Sequence, residues 1–160
     1  MEEKEFKAWL DEQRRSLNLS LDAEGQWWHD DEPFVHKGLI AAFNRGIDRH
    51  SSSHEPMIRI GSTWCYFKTA QSPFIVRRII SDESGITGFL LNTEVKLATR
   101  DVTFHAVKDL LVLHHVHYRT IRFDRASQAA LAPFLSTQGN ELSLLTCTGP
   151  RVVTQSEGGH

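Results

Sequence analysis

The sequence predicts an α+β protein with mostly antiparallel strands. Three observations carry that expectation. Short runs that alternate apolar and polar residues outnumber helical ones, several of these runs come in pairs around turn residues, and no regular βαβ alternation runs along the 160 residues, which argues against a doubly wound parallel sheet. Hydrophobic residues make up 40% and charged residues 24%, the balance of a chain that buries a core without disulfides or a structural metal. The length leaves room for one domain or for two small ones sharing a core.

Each element follows from a local pattern. Residues 3–15 place Phe6, Trp9, Leu10 and Gln13 three or four apart among charged neighbours, a narrow helical stripe for a surface. Leu17 to Leu21 alternates at period two, Ala23-Glu24-Gly25 turns, and Gln26 to Asp30 returns as the second strand of a hairpin that Pro33 ends. Val35, Leu39, Ile40, Phe43 and Ile47 then outline a long helix, with Lys37, Asn44, Arg45 and Asp48 largely off its apolar face. After a polar loop from His50 to Pro56, strands are expected around Ile58 and Ile60 and over 63–69, with Trp64 and Tyr66 sharing a core face. Phe74 to Ile80 and Ile86 to Leu91 read as a hairpin around Asp82-Glu83-Ser84-Gly85. Further strands are expected over 102–107, 110–118 and 142–147. A capped helix over 124–131 should end or kink at Pro133.

Composition narrows the function classes. A net charge of -2 gives no general attraction for phosphate backbones, so no nucleic-acid partner is expected. The start Met1-Glu2-Glu3-Lys4-Glu5 lacks the basic and apolar regions of a secretory signal. The longest apolar run, Leu110 to Leu113, is too short to cross a bilayer, so no membrane partner is expected either. Cys65 and Cys147 would pair only if their strands were neighbours; two buried free thiols in a reducing cytoplasm is the simpler expectation.

Several of these residues resemble a known family. Gly25-Gln26-Trp27, Pro33-Phe34, and Leu39 with Phe43 on a helix are similar to the opening of the bacterial domain-of-unknown-function family 1285, which has Gly-x-Trp, Gly-x-Pro-Ile and a helix with Leu and Phe at the same offsets. Ser72-Pro73-Phe74-Ile75-Val76 resembles that family's Ala-Pro-Phe strand entry, and Leu91-Asn92-Thr93 falls near the position of its Thr-Asn segment, so the likeness spans roughly residues 17–95. Asp31 stands where the family tends to place glycine, and aspartate tolerates left-handed backbone better than most residues. His36 stands where arginine is usual, and the loop 50–55 differs from the family's acidic glycine turn. The resemblance implies two small mixed α+β domains in tandem and no particular reaction. The expected division is an N-terminal domain with hairpin and long helix over 1–80, a β-rich domain over 81–150, and a flexible tail over 151–160.

Motifs for catalysis are thin. His29-Asp30-Asp31-Glu32 would need helical partners to hold two metal ions, and its carboxylates are expected to bond within a turn and support the next helix. On a strand, His115 and His117 share a face, and two imidazoles so spaced need a third ligand such as His105, Asp101 or Asp124. Neither cysteine has a setting that lowers its pKa, and no Gly-x-Ser-x-Gly elbow or phosphate loop is present. Arg77-Arg78 and the arginines at 119, 122 and 125 read as solvated surface charge. With Trp27 turned to the core, strand geometry turns Trp28 outward with Gln26 and Asp30. The expectation is a non-enzymatic binding module without a cofactor, holding an unknown small molecule or protein segment through Trp28, His29 and His36. The alternatives are a metal-assisted enzyme built on the histidine-rich strand and a self-associating structural domain in which Trp28 lies in a homo-oligomer seam.

Overall fold

A computed structural model of the chain describes residue 12 and residues 14–156. Of the helix expected over 3–15, residues 12, 14 and 15 are helical, as is Ser16 beyond it; Phe6, Trp9, Leu10 and Gln13 lie outside the described residues. The chain is mostly strand with few helices. It divides into two compact units between Pro73 and Phe74.

Among its described residues the first unit holds two small antiparallel sheets and, beyond the helical residues 12 and 14–16, one helix. Strands β1 (Leu19–Leu21) and β2 (Trp27–His29) form the expected hairpin, with Leu19 opposite His29 and Leu21 opposite Trp27. Its turn closes because one oxygen of Asp22 accepts from the backbone N–H of Glu24 (2.9 Å) and of Gln26 (2.8 Å), while Gly25 takes a φ of 83°. Pro33 does not end the hairpin. Glu32 and Pro33 form a third strand, β3 (Glu32–Pro33), opposite His29 and Trp28. Two left-handed residues, Asp30 (φ 49°) and Asp31 (φ 66°), make that tight return, and proline is tolerated because β3 is an edge strand.

Helix α1 (Lys37–Gly46) is shorter than its apolar pattern. Val35 precedes it, and Ile47 opens β4 (Ile47–Arg49), which pairs with β5 (Pro56–Ile60) and through it with β6 (Thr63–Tyr66). Backbone bonds from Leu21 N to Lys68 O and from Lys68 N to Leu19 O (both 2.9 Å) join β1 to the chain just beyond β6.

The second unit carries a ten-stranded curled mixed sheet. It starts with the expected hairpin of β7 (Ile75–Asp82) and β8 (Gly85–Leu91). After β8 come β9 (Lys96–Ala98), β10 (Val102–Val107), β11 (Leu110–His115) and β12 (Arg119–Phe123). Helix α2 (Arg125–Ala130) is capped by Asp124, which accepts from Ser127 N, and gives way to a 3-10 turn containing Pro133. The remaining strands are β13 (Leu135–Gln138), β14 (Glu141–Thr146), β15 (Gly149–Val152) and β16 (Thr154–Ser156). Most ladders are antiparallel, and β7–β12, β8–β14 and β10–β16 are parallel. Residues 151–156, expected to be a flexible tail, belong to this sheet. Val153 is buried between β15 and β16, and Arg151 donates to the carbonyls of Thr99 and Val102 (2.6 Å to the latter).

Candidate functional site

Trp27 and Trp28 meet different fates, as period-two geometry requires. Trp27 is fully buried and packs edge-on against Phe43 (5.4 Å) and Phe67 (4.8 Å). Its indole N–H donates to Asn44 Oδ1 at 2.8 Å. Asn44 therefore turns toward the core and not, as its polarity implied, off the apolar face of the helix. Trp28 is half-buried rather than open, and its indole N–H donates to Asp22 Oδ2 at 2.9 Å. The same carboxylate thus closes the β1–β2 turn and holds the second indole. An indole whose polar edge is already bonded is a poorer anchor than a free one.

His29 and His36 come together, without Trp28. They line an open trough of about 310 Å³ with Glu32, Pro33, Phe34, Val35 and Leu39. The local chain explains this trough. Phe34 N donates to Trp27 O (2.9 Å), which turns Phe34 inward against Phe43 (5.1 Å). The next residue, Val35, is left 84% exposed, and Leu39 in the first turn of α1 is 36% exposed. His29 lies beside the Phe34 ring at 5.9 Å, with Nε2 3.3 Å from Asp30 Oδ2. His36 is the N-cap of α1: its Nδ1 accepts from Leu39 N at 3.0 Å. The acidic run before the helix was expected to support its start, but no acidic residue stands in the first turn and the imidazole does that work. Read as helix-core residues, Val35 and Leu39 gave no hint of this surface; the signal lay in Pro33 and in a cap-competent His36, which together delay the helix to Lys37.

The histidine-rich segment does not have the expected shape. Strand β11 stops at His115, and residues 116–118 form a turn in which His115 Nδ1 accepts from His117 N (3.0 Å) and Tyr118 N (3.3 Å). His115 and His117 therefore do not present two free imidazoles from one strand face. Among the described residues no group of three His, Cys, Asp or Glu side chains converges in a metal-binding arrangement. Cys147, expected inside a strand, is exposed, and burial pushes the half-buried Cys65 thiol up, away from nucleophilic use.

No protein-family model and no curated protein matches the sequence. Among solved structures, the fold is similar to that of a DUF1285 family protein from Silicibacter pomeroyi DSS-3, with a TM-score of 0.61 at 10% identity over 86% of this chain and 79% of that one. It is also similar to a DUF1285 family protein from Shewanella baltica OS155, with a TM-score of 0.51 at 11% identity over 74% of this chain and 92% of that one. The resemblance to domain-of-unknown-function family 1285 thus holds at the level of fold.

Proposed function

We propose that the chain is a non-enzymatic binding module, and that its contact surface is the trough between β3 and the start of α1. One observation carries the proposal: exposed Val35 and Leu39 line one trough together with Phe34 and two imidazoles, His29 and His36. An apolar floor with a few polar groups at its edge is the usual make-up of a small binding site. At about 310 Å³ the trough suits one apolar group, such as a side chain of a protein segment or the body of a compact molecule. Trp28 then serves as a support, since it lies opposite Pro33, which lines the trough. The address that accompanies this proposal is cytoplasmic, supported by two free cysteines. Among the described residues no helix is long and apolar enough to cross a membrane.

Titration of isotope-labelled protein with indole, isobutanol and phenylacetate, followed by amide shifts, tests the assignment. Shifts should cluster at His29, Val35, His36 and Leu39, and Leu39→Lys should weaken the response by about tenfold, the equivalent of 1.4 kcal/mol. Fragments that shift no amide in this cluster would overturn it. Fragment-independent shifts that grow with protein concentration would move the surface to self-association.

A further inference from the structure

Three histidines on separate elements share one bonding habit. His36 Nδ1 accepts from Leu39 N at 3.0 Å. His50 Nδ1 accepts from Ser52 N (3.1 Å) and Ser53 N (3.3 Å). His115 Nδ1 accepts from His117 N (3.0 Å) and Tyr118 N (3.3 Å). Helix starts and tight turns of this kind are ordinarily closed by Asp, Asn, Ser or Thr, whose short side-chain oxygens accept from backbone N–H groups two or three residues ahead. This chain uses aspartate in that role elsewhere: Asp22 over Glu24, Asp82 over Ser84 (2.8 Å) and Asp124 over Ser127 (2.8 Å).

The substitution of imidazole for carboxylate changes how the contact responds to protons. A ring nitrogen accepts only while it carries no proton, and on the imidazolium both ring nitrogens are donors. In each contact the groups aimed at Nδ1 are backbone N–H donors, so protonation sets donor against donor. We propose that His36, His50 and His115 are proton-operated closures: on mild acidification each releases the helix start or turn that it holds, and the protein loosens at three places while its strand ladders stay paired. Each closure is therefore held while its ring is neutral and is lost once the ring carries a second proton.

The charged surroundings differ among the three. His36 shares its trough with His29 and Glu32 and is followed by Lys37. His50 lies against the rings of Trp64 (5.2 Å) and Tyr66 (5.6 Å), over which Arg14 and Arg15 stack, and interacts with Glu55; the backbone N–H of His54 donates to its carbonyl. His115 lies against Tyr118 (5.0 Å), which also meets His117 (4.8 Å), and its cross-strand partners are Arg119 and Val102, the latter preceded by Asp101. None of this depends on what the trough holds.

Residue-resolved amide exchange on the full chain, corrected for intrinsic rates, tests the proposal between about pH 7.5 and about pH 5, which brackets ordinary imidazole titration. Protection at Leu39, Ser53 and Tyr118 should fall by about two- to tenfold, the equivalent of one lost exposed or half-buried hydrogen bond. Ser127, capped by aspartate, should hold its protection. In His36→Asn, His50→Asn and His115→Asn the acceptor remains but no longer titrates, so protection at the matching amide should become independent of pH. Equal protection at both pH values in the unsubstituted protein, or asparagine variants that keep the same pH response, would overturn the proposal. Where a variant fails to fold, ring nitrogen shifts of the unsubstituted protein at neutral pH decide: the tautomer protonated at Nε2 is required, and a proton on Nδ1 would overturn it.

Discussion

The two units bury their cores by different means. In the first, no described strand exceeds five residues, and a ring cluster packs beside Leu19, Leu21, Ile47, Met57 and Ile58: Trp27 contacts Phe43 and Phe67, and Phe34 contacts Phe43. Single side-chain bonds, Trp27 to Asn44 and Trp28 to Asp22, tie these short pieces together. In the second, strands reach eight residues, and consecutive ladders bury Ile75, Val76, Ile86, Phe89, Leu113, Ile121 and Leu144 almost completely. Short elements have few ladder bonds, so their position depends on individual side chains; long ladders distribute the same task over the backbone. The first unit should therefore fail through single side chains, and the second through its backbone.

The largest expected loss is at Trp27. Trp27→Ala should cost about 3–5 kcal/mol, the usual range for removing a buried large aromatic ring, and should leave Asn44 Oδ1 without its indole donor. Trp28→Ala should cost less than half as much, because the second ring is only half-buried. Urea unfolding followed by far-UV circular dichroism measures both. Equal losses would erase the distinction between the sheltered and the outer indole. All four tryptophans precede Pro73, so their fluorescence reports the first unit by itself.

That selectivity sharpens the second prediction. Gly85 sits where β8 meets β14, with a φ of +132° and a position at which an added Cβ would lie 2.8 Å from Leu145 O and Thr146 C. Both neighbours are backbone, so neither can swing aside. Gly85→Ala should cost about 2–3 kcal/mol from strain and displacement of the parallel join, while Gly139→Ala, where nothing lies within 4 Å, should cost only its left-handed backbone. Circular dichroism and tryptophan fluorescence should then be compared in the same samples. A Gly85 variant that unfolds like the unsubstituted protein by dichroism would show that the β8–β14 join does not depend on this close approach.

What could be read from the sequence follows the same division of labour. The β1–β2 hairpin, the β7–β8 hairpin and the Asp124 cap were legible because each combines a clear period with turn or cap residues beside it. Strands β3, β9, β13, β15 and β16 have two to four residues each, too few to show alternation. Asn44 was misplaced because a polar residue on a helix reads as solvent-facing until its partner, an indole 17 positions earlier, is known. Of the residues that line the trough, His29 and His36 stand out in the sequence by their chemistry, whereas Val35 and Leu39 read as helix core. Their exposure depends on where the helix begins, and the period of apolar residues does not mark that point; the cap does.

The smallest effect concerns a charge pair in the first unit. Arg15 donates to both Glu55 oxygens (3.0 and 2.7 Å) while its guanidinium lies 4.2 Å from the Tyr66 ring centre. The Arg15 hydrogen bonds hold the Glu55 carboxyl below its usual range, against the weaker opposite pull of burial. A depressed carboxyl contributes stability above its unfolded value, about 4.3 for glutamate, and loses it as pH falls through the folded value. Both side chains are more than two-fifths exposed, so solvent screening keeps the contribution below about 1 kcal/mol. Glu55→Gln should thus lower stability slightly at neutral pH, less at high salt, and not at all near pH 3. A deficit of equal size at neutral and at acid pH would mean that bond geometry and ring stacking hold Arg15 in place, and charge does not. The first unit's dependence on individual side chains would then be one of shape, down to its most exposed contact.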